Sequence, residues 1–163
     1  MHSPRQPEPR RFAVLLLCAM FPFLLGAATG QGQAPLEKLG GFKARGLADA
    51  QLVGPGPTPG SERLYATYTY PGSTFDLVAV DPATGECQVF PGPISGEPGA
   101  KGLVLAQDGN LYLGTYPKGH ILRFAPRTGR FTDLGRPAPR DPECWIWEMV
   151  EAPDHRIYMA TSP

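Results

Sequence analysis

The sequence predicts an all-β chain built from a repeated unit of four short antiparallel strands. Three observations predict it. Gly and Pro each occur 20 times in 163 residues, yet 42% of the chain is hydrophobic, a balance that suits short strands joined by tight turns better than a polar disordered chain. A pattern of about 46 residues returns along the chain, as repeat architectures require. After residue 31, Pro or Gly interrupts every stretch that begins a helical apolar period, so helical repeats are disfavoured.

The first element, residues 1–30, is unlike the rest. Arg5, Arg10 and Arg11 precede the apolar run Phe12–Leu25, and Gly26, Ala27, Ala28, Thr29 and Gly30 follow it. A basic start, an apolar segment and a small-residue cleavage site make a secretory signal peptide, with cleavage after Ala28 or Gly30. An uncleaved anchor is the rival reading. The apolar run is shorter than the ~20 residues a spanning helix needs, and Pro22 interrupts it. The mature protein is therefore expected to be secreted or periplasmic, without a membrane association once the signal is removed. Residues 31–44 read as a linker. Cys87 and Cys144 remain; export permits a disulfide, but they sit at different places in the repeat, which favours separate thiols and leaves the pairing open.

The repeat occupies residues 45–163. Arg45-Gly-Leu-Ala-Asp-Ala-Gln51 aligns with Lys101-Gly-Leu-Val-Leu-Ala-Gln107, an offset of 56. Arg63-Leu-Tyr-Ala-Thr67 aligns with Asn110-Leu-Tyr-Leu-Gly114, an offset of 47. The difference predicts nine extra residues in the first copy, within the Gly/Pro stretch Leu52–Glu62, where insertion costs little. Asp81-Pro-Ala-Thr-Gly85 aligns with Ala125-Pro-Arg-Thr-Gly129; this is a hairpin turn in which Pro presets φ and Gly supplies a positive φ. A third copy begins at Ala152-Pro-Asp-His-Arg-Ile-Tyr158, the counterpart of Ala106–Tyr112, and its last matched residues are Ala160–Pro163.

In the second copy the strands are expected near 101–106, 110–116, 120–125 and 130–134, with Asp108-Gly109 as the first hairpin turn. A self-similar unit of this length with four strands predicts β-propeller blades: blade one at 45–100, blade two at 101–146 and part of a third at 147–163. A closed ring needs about 4–8 blades. Two blades and part of a third make an incomplete ring, so the sequence is expected to be the amino-terminal portion of a longer protein. The alternative is a short chain that completes a ring by self-assembly.

Leu105-Ala-Gln-Asp-Gly-Asn-Leu-Tyr-Leu-Gly-Thr115 and Gly119-His-Ile-Leu-Arg-Phe-Ala-Pro-Arg-Thr-Gly129 carry a resemblance. From about Arg45 to Pro163 the chain resembles bacterial exported β-propellers of the NHL, streptogramin-lyase-like and quinoprotein-like group. The resemblance implies the fold. It spans lyases, lactonases, dehydrogenases and binding domains alike, so it implies no single activity.

Several residues are candidates for chemistry. Trp145, Trp147 and Met149 are expected on one face of a strand, with Ile146, Glu148 and Val150 on the other. The tryptophans suit stacking on a sugar ring, with Glu148 taking a hydroxyl; the alternative is that they fill the wedge between blades. Arg45 and Lys101 open two blades at matched positions, either facing an anionic ligand or serving as solvated turn charges. Tyr116 and His120 share one turn and could do the acid–base work of a β-elimination, or be plain turn residues. Asp141, Glu143, Asp154 and His155 lack metal-ligand spacing, and no phosphate loop or nucleophile elbow is present, so no metal or cofactor is expected. Fifteen basic and fifteen acidic side chains cancel, which argues against a nucleic-acid partner. The expected function is an exported binding module for an extracellular ligand such as a glycan, with a lyase or lactonase-type hydrolase as the alternative.

Overall fold

A computed structural model describes residues 46–140, 142 and 144–162. The expected signal peptide at 1–30, the linker at 31–44, and Arg45, Asp141, Glu143 and Pro163 lie outside the described residues. The described chain holds ten strands: β1 (Leu47–Pro55), β2 (Glu62–Thr69), β3 (Asp76–Val80), β4 (Cys87–Pro91), β5 (Gly99–Leu105), β6 (Leu111–Tyr116), β7 (Ile121–Ala125), β8 (Arg130–Asp133), β9 (Trp145–Glu151) and β10 (Ile157–Ser162). They form two four-stranded meanders, β1–β4 and β5–β8, and a two-stranded pair, β9–β10. All pairings are antiparallel. The all-β class and the four-strand unit thus stand, and β5 to β8 fall within two residues of the strands expected from sequence.

Repeated turn chemistry makes the units alike. Gly85 and Gly129 both take a positive φ, and their amides close onto the carbonyls of Asp81 and Ala125 at 2.8 and 2.9 Å. Asp108 and Asp154 accept the amides of Asn110 and Arg156 through Oδ1. Through Oδ2 they accept the hydroxyls of Tyr112 and Tyr158. These aspartates build turns; their carboxylates are occupied in doing so. Cys87 and Cys144 are free thiols.

The sheets pack face on face. Tyr65, Phe75, Leu77 and Ala79 from the first meet Ala100, Leu111, Leu113, Leu122 and Phe124 from the second, all buried. Phe90 and Phe124 cross edge to face at 4.8 Å, and Phe75 and Phe131 at 5.9 Å, arrangements that suit the aromatic quadrupole. The first strands converge: β1 lies against β5, and β5 against β9. Glycine permits the second approach. A Cβ on Gly114 would stand 2.2 Å from Ile146 Cγ2, and one on Gly102 would stand 2.8 Å from Met149 Cγ.

Strand register revises the alignment of the first copy. Ala48 pairs with Tyr68 and Leu52 with Tyr65; Ala100 pairs with Thr115 and Val104 with Tyr112. Because Tyr65 and Tyr68 correspond to Tyr112 and Thr115, Ala48 corresponds to Ala100 and Leu52 to Val104. The first strands are therefore offset by 52, not 56, and the first copy carries five extra residues before β2, not nine. The Gly-Leu…Ala-Gln identity is out of register by four residues, which takes Arg45 away from the position of Lys101 and gives that position to Asp49. The sheets start at Leu47, Gly99 and Trp145, so the boundaries drawn at 101 and 147 fall inside β5 and β9.

The expected alternation along β9 also fails. Its pairing with β10 shifts register between Ala160 and Thr161, which leaves Trp147 as an extra residue between Ile146 and Glu148. A bulge reverses the phase of the strand beyond it. Ile146 and Met149 therefore both reach the glycines of the second sheet, while Trp145 and Trp147 stack on each other.

Replacing Gly114 by Ala should lower stability by about 1–3 kcal/mol, the usual cost of overpacking. Equilibrium urea unfolding measures this. A midpoint equal to wild type would show that the β6–β9 approach is looser than described.

Candidate functional site

Each first strand carries a bulge at one matched place. The irregularities fall between Ala48 and Gln51, between Ala100 and Gly102, and opposite Ala160 and Thr161. The residues they present are Asp49, Lys101 and Trp147. Each meets the residue near the end of its own second strand, at another matched place. Asp49 Oδ2 accepts a hydrogen bond from the Thr69 hydroxyl. Lys101 Nζ lies 5.6 Å from the Tyr116 ring centroid. Trp147 Nε1 donates to Ser162 Oγ at 2.6 Å. One geometry is thus used three times with three different chemistries.

The three pairs join into one cluster. The Tyr116 hydroxyl lies 2.6 Å from Thr69 Oγ1 and donates to Asp49 Oδ2 at 3.3 Å. Tyr116 stacks on Trp145 at 4.6 Å and 17°, and Trp145 on Trp147 at 5.3 Å and 28°. Lys101 Nζ sits 4.6 Å from the Trp147 centroid, within cation–π range. Trp145 is the middle ring of the ladder. Trp147 is 40% exposed, and Trp145 is half-buried. Gly99 is needed beneath the ladder, because a Cβ there would stand 2.2 Å from the Tyr116 ring.

Burial raises the Tyr116 phenol above its ordinary value, and the Asp49 carboxylate adds to the rise against the opposing hydrogen bond from Thr69. Tyr65 is raised by burial against the opposing charge of Arg63. Tyr112 is raised by burial and by its bond to Asp108. These phenols stay protonated at neutral pH, so Tyr116 is a hydroxyl donor there and not a base.

The cluster gathers Lys101, Tyr116, Trp145 and Trp147 from among the residues singled out in the sequence. Lys101 lies within β5 and over aromatic rings, not in a solvated turn. Glu148 is not part of the cluster: it lines an open groove on the outer face of β9 and β10 with Val150, Tyr158 and Ala160. His120 is not part of it either. Its Nδ1 faces the Asp133 carboxylate at 3.2 Å, and its amide donates to Thr115 Oγ1 at 2.8 Å. Arg45 lies outside the described residues. Asp49, Thr69 and Ser162 were not legible as site residues, because only strand register, and not residue identity, reveals their equivalence. Among the described residues no group of three or more His, Cys, Asp or Glu is placed to hold a metal ion.

Beneath the cluster a buried carboxylate fixes the end of β6. Glu97 is fully buried; it accepts the Thr115 hydroxyl at 2.5 Å and the Lys118 amide at 3.0 Å. A buried carboxylate persists when its oxygens are hydrogen-bonded. Here those bonds position Tyr116 between the two residues that Glu97 holds.

No family model, curated protein or solved structure matches the chain.

Tyr116→Phe should cost about 0.5–1.5 kcal/mol at neutral pH through its lost hydrogen bonds. The raised phenols also set an alkaline limit. The folded state holds these protons more tightly than the unfolded state, whose tyrosines titrate near 10.0. Their stabilisation is whole below that pH and is lost as pH rises through the folded values. Thermal unfolding across this range should show a shallower alkaline fall for Tyr116→Phe than for wild type; parallel curves would contradict the burial assigned to Tyr116.

Proposed function

We propose that the chain is an exported binding module of the β-propeller type, whose ligand docks where Asp49, Lys101 and Trp147 come together. The observation that carries this reading is the threefold use of the first-strand bulge. The scaffold repeats at that place, yet it presents a carboxylate, an ammonium and an indole side by side. The convergence of β1, β5 and β9 supports a radial arrangement of blades, in which first strands meet at a common centre. The basic start and apolar run of residues 1–30 support export.

A glycan suits this set. A sugar offers an apolar ring face and several hydroxyls. Trp147 supplies a platform for the face, and Asp49 and Lys101 supply an acceptor and a donor for hydroxyls. Trp145, half-buried, stacks on Trp147 and extends the aromatic surface. The lyase reading has weaker support: the Tyr116 phenol is protonated and bonded to Thr69 and Asp49, and His120 is turned toward Asp133.

A glycan array with the secreted protein should return a defined set of sugars. Trp147→Ala should lower affinity for them by about tenfold or more, as loss of a central aromatic anchor does. Asp49→Asn and Lys101→Gln should each weaken binding, and His120→Ala should leave it unchanged. Binding that survives Trp147→Ala, or no glycan bound by wild type, would remove the carbohydrate assignment.

A further inference from the structure

We infer that the sugar taken by this site is an acidic one, with its carboxylate or sulfate ester seated on the Lys101 ammonium. The inference rests on the glycan reading above and names the class of glycan. It starts from an asymmetry between the two charges at the site. Asp49 is engaged: its Oδ2 accepts the hydroxyls of Thr69 and Tyr116. Lys101 is held differently. Its Nζ lies 4.6 Å from the Trp147 centroid and 5.6 Å from the Tyr116 centroid. Among the described residues it makes no ion pair and no hydrogen bond.

A cation held by rings keeps its donors. The ring quadrupole attracts the charge without taking an N–H, so the donors of the ammonium stay available to a ligand. Lys101 is also half-buried, where water satisfies a charge less well. The nearby glutamates are engaged elsewhere. Glu97 holds the Thr115 hydroxyl and the Lys118 amide. Glu151 accepts the Gln107 amide and faces the His155 ring. A positive group fixed beside an aromatic platform, without a counter-charge, favours a ligand that brings its own.

One ammonium matches one negative charge. A carboxylate and a sulfate ester each carry a single charge, whereas a phosphate monoester carries nearly two and would meet the Asp49 carboxylate with the excess. The attraction is local. Fifteen basic and fifteen acidic side chains cancel over the chain, so no general field draws anions to it. Lys101 and the aromatic platform share the Trp147 ring. A sugar laid against the exposed part of that ring brings a substituent at its edge next to Nζ.

A glycan array built of pairs tests this, each acidic sugar beside its carboxyl-reduced or desulfated neutral counterpart. The secreted chain should bind acidic members about tenfold or more tightly than their neutral partners, as a hydrogen bond to a charged group allows. Whether the carboxylate pairs or the sulfate pairs show the larger ratio identifies the acidic group. Added salt should narrow the ratio. Lys101→Gln should abolish it, Lys101→Arg should restore it, and Asp49→Asn should keep it while weakening both members of a pair. Circular dichroism checks that the variants keep the wild-type fold. Equal binding of acidic and neutral members, lost in Trp147→Ala, would overturn this inference and leave the glycan reading standing. So would a preference that survives Lys101→Gln. An array with no bound sugar would remove both.

Discussion

The close approach of successive first strands is the constraint on which the rest depends. It requires a small or hydrogen-bonded side chain in the middle of each second strand, facing the strand that arrives. Thr67 meets the requirement by bonding the Ala100 carbonyl, which gives a buried hydroxyl its partner. Gly114 meets it by having no side chain, so that Ile146 can fill the space. Two different residues therefore solve one steric problem. The second solution exchanges a hydrogen bond for apolar packing and dispersion.

That approach decides where the site is. First strands brought together would present a continuous alternation of side chains if they were regular. Each is interrupted instead by a bulge, which adds a residue, bends the strand and re-aims a side chain. Two of the added residues, Asp49 and Lys101, meet Tyr116, and the third, Trp147, joins them through Lys101 and Trp145. Packing holds the strands; the bulge frees one position per strand from packing. A residue so freed can be a carboxylate, an ammonium or an indole without cost to the core.

The sequence disclosed the scaffold better than the site, for a physical reason. Turns depend on local chemistry, so Asp108-Gly109 and the Pro-x-Thr-Gly pairs were legible from adjacent residues alone. The strands they join followed, and so did the turn role of Asp108. The β9 face was misjudged because strict alternation holds only in a strand without a bulge. The bulge is signalled by pairing with β10, not by the residues of β9. The Arg45–Lys101 equivalence failed similarly. Gly-Leu…Ala-Gln is a persuasive identity, but register is fixed by which face must be buried, and four residues of slip went unseen. Asp49 was hidden by that slip. Trp145, Trp147, Lys101 and Tyr116 were legible as unusual residues, though not as members of one cluster.

Repetition and difference divide the labour in this chain. Positions that build the unit recur with their chemistry: the turn aspartates, the Tyr112 and Tyr158 hydroxyls that bond them, and the closing glycines at Gly85 and Gly129. Positions at the bulge recur in geometry only. Three lysines there would repel one another and would need desolvation together. Asp49 and Lys101 instead bring opposite charges to Tyr116, one bonded to its hydroxyl and one over its ring. Tyr116 thus links the charges through a protonated phenol that burial keeps neutral. Varying the bulge residue is therefore what lets a repeating scaffold hold an asymmetric, polar and aromatic surface, which identical units could not do.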